Sequence, residues 1–182
     1  MGVTILEPPP VEPVSTAEAR VFLRLEGDAE EGAIDAFIGA ARNLVEAWSG
    51  RALVRRRVLE SWSGSPHARD GWIRLAFAPV SLVHEVRVAD QAGVRVVGEA
   101  DVTLDGAEGR IRLASPSAAG PGVDRVEIDY EAGYAATADA APPALRHAVL
   151  LAVASLYEGR EGDGPSLAAA RGLTAPWQRV RL

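Results

Sequence analysis

The chain has 182 residues, 48% of them hydrophobic and 24% charged, a composition typical of one globular domain and unlike that of a disordered or fibrous protein. It contains no cysteine, which excludes disulfide frameworks, thiolate metal sites and thiol nucleophiles. The formal net charge of -6 argues against a surface that grips nucleic acid, since such binding depends on Lys and Arg neutralising phosphates. No apolar run approaches the roughly 20 residues that span a bilayer, so we expect no membrane partner.

The first segment of the chain is rich in proline, with Pro8, Pro9, Pro10 and Pro13 close together. Proline lacks a backbone donor and favours an extended, polyproline-like path that cannot join a helix. The sequence therefore predicts an extended N-terminal arm over residues 1–14.

Helical patterns occupy residues 15–50. Ser15 with Glu18 three positions later forms a capping-box pattern, which predicts a short first helix. Apolar residues then recur at intervals of three and four over 34–48, which predicts a second helix of about 20 residues, roughly 30 Å long. This longer helix is expected to end at Gly50.

Beyond residue 50 the apolar pattern changes to a period of two, broken by turn residues about every ten positions. This pattern predicts an antiparallel β insertion over about 53–134. The predicted strands are 53–62, 72–77, 82–89, 94–97, 110–113 and 123–130. In the third strand, alternation places four side chains together on one face, packed on a core. These are Leu82, His84, Val86 and Val88.

A third helix is predicted over residues 143–160. Pro143 is acceptable in its first turn, and no charged residue occurs from 148 to 157, so this helix should be packed on several sides. With the long helix against it, we expect a core of Phe22, Ile34, Phe37, Ile38, Val45, Leu150, Val153 and Leu156. The fold class is thus α+β, a small helical bundle of the long helix and the central apolar helix, with the β insertion between them and extended N- and C-terminal arms.

The last ten residues, 173–182, combine apolar and basic side chains with no acid, on a chain whose net charge is negative. Trp and Arg are enriched in binding hot spots, so this C-terminal segment is a candidate docking segment. Its candidate docking residues are Leu173, Pro176, Trp177, Arg179, Val180 and Arg181. The alternative is a tail that folds back on its own core through Trp177. The domain organisation is therefore an arm over 1–14, a single domain over 15–172 and a docking segment over 173–182.

Catalytic and metal-binding patterns are absent from the sequence. The three histidines, His67, His84 and His147, do not have zinc-enzyme spacing, and the sequence contains no nucleophile elbow, P-loop or dinucleotide fingerprint. We predict no catalytic, cofactor-binding or metal site. The acids over 26–35 suit the positive end of a helix dipole, and the basic run over 51–57 is interpreted as a solvated or subunit-contacting strand edge.

Six motifs occur in an order that resembles the head-tail connector (adaptor or head-completion) proteins of long-tailed phages and gene transfer agents. Together they cover roughly residues 15–182. The motifs are ARVFLRL (19–25), WSGRAL (48–53), YEAGY (130–134), PALR (143–146), LYEGRE (156–161) and LTAPWQRVRL (173–182). The sequence departs from the family pattern in the proline-bearing arm and in the Gly-rich loop after Arg160.

The resemblance implies a structural adaptor without enzymatic activity. Subunits of this family form a ring, here expected to contain twelve copies, which is fastened beneath the portal protein and continues the DNA channel toward the tail. The implied partners are the portal protein and a neck or tail-completion protein, and DNA passes through without specific binding. The C-terminal segment would dock on the portal. The expected location is the virion or phage-like particle, with the host cytoplasm during assembly.

Two other classes of function stay open on the sequence alone. A β-sandwich-type binding module would need an exposed aromatic platform, for which Trp62 and Trp72 are the candidates. A small hydrolase is the third hypothesis for the function, but no set of acid, base and nucleophile can be named for it.

Overall fold

A computed structural model of the chain describes residues 1–26, 31–66, 70–114, 122–159 and 165–178. The chain divides into two compact units. Met1–Pro8 and Arg55–Gly133 form a β unit, whereas Pro9–Val54 and Tyr134–Leu182 form a helical unit. Helices and antiparallel sheets are thus both present and largely segregated, so the α+β class predicted from the sequence is confirmed.

Four α-helices lie in the described residues of the helical unit. They are α1 (Thr16–Leu23), α2 (Glu31–Ser49), α3 (Pro143–Tyr157) and α4 (Pro165–Thr174). The capping box is present at α1, where the Ser15 hydroxyl accepts the Glu18 N–H and the Glu18 carboxylate accepts the Ser15 N–H. α2 ends at Gly50, whose φ of 65° is a conformation that glycine adopts without steric cost. None of the helices in the described ranges is long and apolar enough to cross a membrane.

The core of the helical unit is built around α3, which contacts α1, α2 and α4. Four of the eight predicted core residues are at most 1% exposed, and the other four are only partly buried. The fully buried ones are Ile34, Ile38, Val45 and Val153, and the partly buried ones are Phe22, Phe37, Leu150 and Leu156. Buried alanines, among them Ala41, Ala148 and Ala152, let the helices approach closely, and the larger side chains then lie around the margin of the core.

In the part of the β unit that the structure describes there are eight strands, all paired antiparallel. They are β1 (Gly2–Glu7), β2 (Arg56–Ser63), β3 (Ile73–Arg74), β4 (Val80–Asp90), β5 (Gly93–Val96), β6 (Val102–Asp105), β7 (Arg110–Leu113) and β8 (Val123–Ala132). A five-stranded sheet has the order β1-β2-β8-β4-β5, and a three-stranded sheet has the order β3-β7-β6. β6 is not among the strands predicted from the sequence. It is only four residues long and carries a weak apolar alternation.

The first fourteen residues differ from the free arm that the prolines predict. β1 is an edge strand that pairs with β2 from Gly2 to Glu7, and the prolines begin directly after it. In the helical unit, the Pro13 carbonyl accepts the Arg146 Nε–H at 2.9 Å, and Val14 is 1% exposed. The path is extended as expected, but an edge strand needs the same extended backbone as an arm, and its partner lies about fifty residues away in sequence.

The predicted face of the third strand is only half correct. Val86 and Val88 are buried, whereas Leu82 is 46% exposed and His84 is also exposed. The pairing of β4 with β8 shifts register between Val80 and Leu82 and again between residues 83 and 85. Because each bulge inserts one residue, it reverses which side chains face the core, and the alternation read from the sequence fails at this end of the strand.

A buried polar contact lies inside the β unit. Glu60 on β2 and Tyr130 on β8 are both fully buried. The Glu60 Oε1 accepts the Ala76 N–H at 2.7 Å and also accepts the Tyr130 hydroxyl. The carboxylate therefore joins two adjacent strands to the segment that follows β3.

Candidate docking segment and interaction surfaces

The C-terminal segment continues α4. The helix runs to Thr174, and a single 3-10 turn follows over Ala175–Trp177. The Thr174 hydroxyl donates to the Arg171 carbonyl at 2.7 Å and accepts from the Gln178 side-chain amide at 3.3 Å. These bonds close the helix end, so residues up to Gln178 belong to the helical unit.

Three of the six candidate docking residues lie in the described part of the chain. Leu173 and Trp177 are partly buried against the helical core, and Pro176 is exposed. Arg179, Val180 and Arg181 fall outside the described residues. The fold-back alternative is therefore observed for Leu173 and Trp177, while the docking role of the segment stays a prediction.

Trp177 is held by a second contact besides packing. Its side chain hydrogen-bonds to Tyr134, the first residue after the β unit. Burial raises the pKa of the Tyr134 hydroxyl, an effect partly offset by the nearby Arg51 and by the bond from Trp177. A tryptophan whose ring packs on the core and whose N–H is satisfied serves as an anchor for the end of α4.

Arginine–carboxylate pairs connect α1, and the chain that precedes it, to α2 and α3. Arg146 on α3 donates to Glu18 at 2.5 Å, and Arg42 on α2 donates to Glu12 at 2.7 Å. Arg42 also lies 3.4 Å from Glu46, a residue that is 3% exposed and accepts the Leu53 N–H. These pairs are structural contacts within one unit rather than an open binding site.

The basic run is not the solvated edge that the sequence suggests. In the β unit, Arg56 is 5% exposed with its guanidinium 5.8 Å from the centre of the Phe77 ring. Arg57 donates to both carboxylate oxygens of Asp129, at 2.9 and 2.8 Å, and lies 3.6 Å from Glu7 on β1. The interpretation is wrong for these two arginines. Other residues of the β unit contact their guanidinium groups, in place of the solvent or second subunit that was expected.

Trp72, one of the two candidates for the aromatic platform of a binding module, is already covered by arginine side chains. The guanidinium groups of Arg110 and Arg112 lie 4.5 and 4.4 Å from its ring centre. Trp62 on β2 is partly buried. Neither ring is a bare surface of the kind that stacks on a sugar or a base.

The histidines lie in unrelated places. His84 is 3.2 Å from Glu131 on the adjacent strand, and His147 makes an edge-to-face contact with Phe22 at 5.7 Å. His67 lies outside the described residues. Among the residues that are described, no group of three or more His, Asp or Glu side chains could hold a metal ion.

The acids near the start of α2 are used in local contacts. Glu31 pairs with Arg20 at 3.1 Å, and Asp35 accepts the Thr16 hydroxyl. Asp28 and Glu30 lie outside the described residues. Glu31 and Asp35 therefore connect α1 to α2, and Glu31 lies in the first turn of α2.

Three solved structures with the same fold come from gene transfer agent particles. A chain in the neck of an empty gene transfer agent particle, computed with C6 symmetry, is 29% identical, with a TM-score of 0.78 over 100% of this chain and 97% of that one. A chain in the virion of a native gene transfer agent particle is 28% identical, with a TM-score of 0.80 and the same coverage. A third, in the neck of a native particle computed with C12 symmetry, is 29% identical, with a TM-score of 0.77 and again the same coverage.

In both fold and sequence the chain resembles the head-tail connector proteins of long-tailed phages and gene transfer agents, as the order of its motifs predicts. No family model matches the sequence, and no curated protein matches it either. The matched structures are structural components of gene transfer agent particles and not enzymes, and on this likeness the predicted absence of catalysis and the predicted virion location are confirmed. In the sequence, this resemblance is indicated by the order of the six motifs, since each motif alone is short and has little specificity.

Proposed function

We propose that this chain is the head-tail adaptor of its particle, forming a ring beneath the portal protein and continuing the DNA channel toward the tail. The observation that carries the proposal is a fold shared over the whole chain with neck chains of gene transfer agents. On this proposal its partners are the portal protein on one side and a neck or tail-completion protein on the other.

The symmetry of the related necks supports a ring. Two of the similar chains come from neck structures computed with C6 and C12 symmetry. A ring of twelve copies satisfies both, because six-fold symmetry is contained in twelve-fold symmetry. We therefore propose twelve subunits.

The charge of the chain supports passage of DNA without specific binding. Its net charge is -6. A basic channel would retain phosphates through counterion release, whereas an acidic conduit lets the duplex slide. Several of the arginines in the described residues are already engaged by carboxylates, which further reduces the charge available to DNA.

This role is tested by locating the chain in purified particles. A reconstruction of the neck should place a twelve-membered ring of this chain between portal and tail, and heads made without the protein should retain the portal but lack tails. Location of the chain elsewhere in the virion, or normal tailing in its absence, would contradict the proposal.

We also propose that the end of the chain docks on the portal. Because Leu173 and Trp177 already pack on the helical core, the docking contacts belong to exposed Pro176 and to Arg179, Val180 and Arg181. An aromatic anchor that is fixed in the subunit limits how far the last residues can range. This lowers the ordering cost that a disordered tail would bring to binding.

A truncation after Gln178 tests this docking role. It removes residues 179–182 but leaves the Trp177 contacts, so the melting temperature should not change while attachment to portal-bearing heads is lost. A matched pair of variants separates docking from charge. Arg179→Ala with Arg181→Ala should weaken attachment, whereas removing two exposed arginines elsewhere, Arg125→Ala with Arg171→Ala, should not. Equal attachment by the truncated protein would refute the docking role.

A further inference from the structure

Exposed large apolar side chains of the β unit fall into two sets, one at the β1 edge of the five-stranded sheet and one toward its β4–β5 edge and on β6 of the three-stranded sheet. Each of these side chains is at least 37% exposed. One set lies at β1, and the other lies on β4, β5 and β6. The first set is Met1, Val3, Ile5 and Leu6, and the second is Leu82, Val94, Val96 and Leu104.

The second set borders a groove of about 550 Å³. Residues 81–86 of β4 form one wall, and residues 96–99 with Val102 and Leu104 form the other. Valine and leucine side chains make up most of the lining, and two of its polar side chains, His84 and Glu85, are engaged by neighbouring Glu131 and Arg87. The groove is thus suited to an apolar occupant.

The same wall of the groove presents an open strand edge. β4 pairs with β8 from Val80 to Asp90, but on its other side β5 pairs with it only from Arg87 onward. In the described ranges no strand pairs with residues 81–85 on that side. β1 at the far edge of the sheet likewise pairs only with β2. Open strand edges of this kind are templates for adding a strand from another chain.

We propose that β1 of one subunit lies in this groove of the next subunit and adds to the open edge of β4. The inference rests on the proposed ring. A closed ring needs a heterologous interface, in which two different surfaces of the same chain meet, and the two edges of one sheet supply such a pair. β1 has six residues, and the open stretch of β4 from 81 to 85 has five, since the Val86 carbonyl already accepts the Val97 N–H at 2.9 Å.

Two kinds of contact stabilise this arrangement. Main-chain hydrogen bonds between β1 and β4 satisfy both open edges, as in other strand-addition interfaces. Side chains at alternate positions of β1, such as Val3 and Ile5, would then pack between Leu82 and Leu104 of the neighbour and remove both apolar sets from water. Repeated around the ring, the contact joins every subunit to the next through a continuous sheet.

Engineered disulfides test the proposal, because the chain contains no cysteine of its own. Four double variants combine Val3→Cys or Ile5→Cys with Leu82→Cys or Leu104→Cys, and purified necks are oxidised and run on a denaturing gel without reductant. Within one subunit, β1 and β4 are separated by β2 and β8. Three strand spacings of about 4.8 Å give roughly 14 Å, beyond the reach of about 7 Å between the Cα atoms of a disulfide.

At least one double variant should give a ladder of cross-linked species that rises from dimer toward the full ring. Mixing the two single-cysteine chains should stop at dimers, and each single-cysteine chain alone should give none. Replacing Ile5→Cys by Val21→Cys, an exposed position on α1, should abolish the ladder.

Three outcomes would overturn the inference. Necks that contain all four double variants but show no ladder would exclude this interface while leaving the adaptor role intact. Dimers formed by Ile5→Cys alone would indicate a two-fold contact instead of a heterologous one. Absence of the wild-type chain from necks would remove the proposed function and this interface together.

Discussion

The contact between the Tyr130 hydroxyl and the Glu60 carboxylate gives a sharp test of how the β unit is stabilised. Both side chains are fully buried, on adjacent strands of the five-stranded sheet. Tyr130→Phe removes a single oxygen and changes neither the ring packing nor the strand pairing. It leaves the buried carboxylate without one of its donors, while the Ala76 N–H still points at it from 2.7 Å.

The expected loss follows from the burial of the acceptor. Leaving a buried polar group without one of its hydrogen-bond partners costs about 1–3 kcal/mol. For a chain of this length each kcal/mol shifts the melting temperature by roughly 2–4 °C, so Tyr130→Phe should lower it by about 2–12 °C. Tyr134→Phe is the matched control, because its half-buried hydroxyl bonds to neutral Trp177 and should contribute only about 1 kcal/mol.

Calorimetry and circular dichroism on the two variants and the wild type measure these shifts. The circular dichroism spectra at low temperature should coincide, which would show that neither change alters the fold. A Tyr130→Phe variant that melts with the wild type, or a larger loss for Tyr134→Phe, would refute the account of Glu60 as a buried acceptor that depends on Tyr130.

Two further predictions concern backbone packing and pH. A Cβ added at Gly106 would lie 2.2 Å from the Val80 carbonyl oxygen, so Gly106→Ala should cost about 1–3 kcal/mol, whereas Gly32→Ala on α2, with open space around it, should stabilise by about 0.5–1 kcal/mol. Urea titration of both variants should show shifts of opposite sign. The Ser15 amide, and less strongly Arg146, hold the pKa of Glu18 below its usual value of 4.5, so the stability it contributes is present above that pH and is lost as pH falls through the lowered pKa. Glu18→Gln should therefore lower the melting temperature at pH 7 by more than at pH 3, and an equal loss at both would contradict this assignment.

Features set by a few neighbouring residues could be predicted from the sequence. The capping box of Ser15 and Glu18 and the end of α2 at Gly50 depend only on residues within one turn, and both are found in the structure. The antiparallel insertion could be predicted because alternation and turn residues are also local signals.

Features set by distant partners could not be predicted in this way. Nothing within residues 1–14 indicates that β1 pairs with the edge of β2, about fifty residues later in the sequence. The exposure of Leu82 depends on two bulges that are defined by pairing with β8. Without knowing those partners, the apolar groove at β4 looks in the sequence like an ordinary buried strand face.

The candidate docking segment is a second place where the sequence alone could not predict the contacts. Trp177 among arginines is compatible with a partner surface and with the chain's own core, because tryptophan serves in both. What distinguishes the two is the position of Tyr134 and of the helical core, which only the folded chain brings beside it.

The pairing of Arg56 with Ala132 has a consequence for how the gene for such a protein can change. These residues lie at the two ends of the β insertion, and antiparallel partners have Cα atoms only about 5 Å apart. The two ends of the insertion are therefore as close together as the ends of a tight turn. Its some eighty residues add little loop-closure entropy to the folding of the helices that precede and follow it. Hairpins between β2 and β8 can lengthen, shorten or be exchanged between relatives, while the four helices keep the same core.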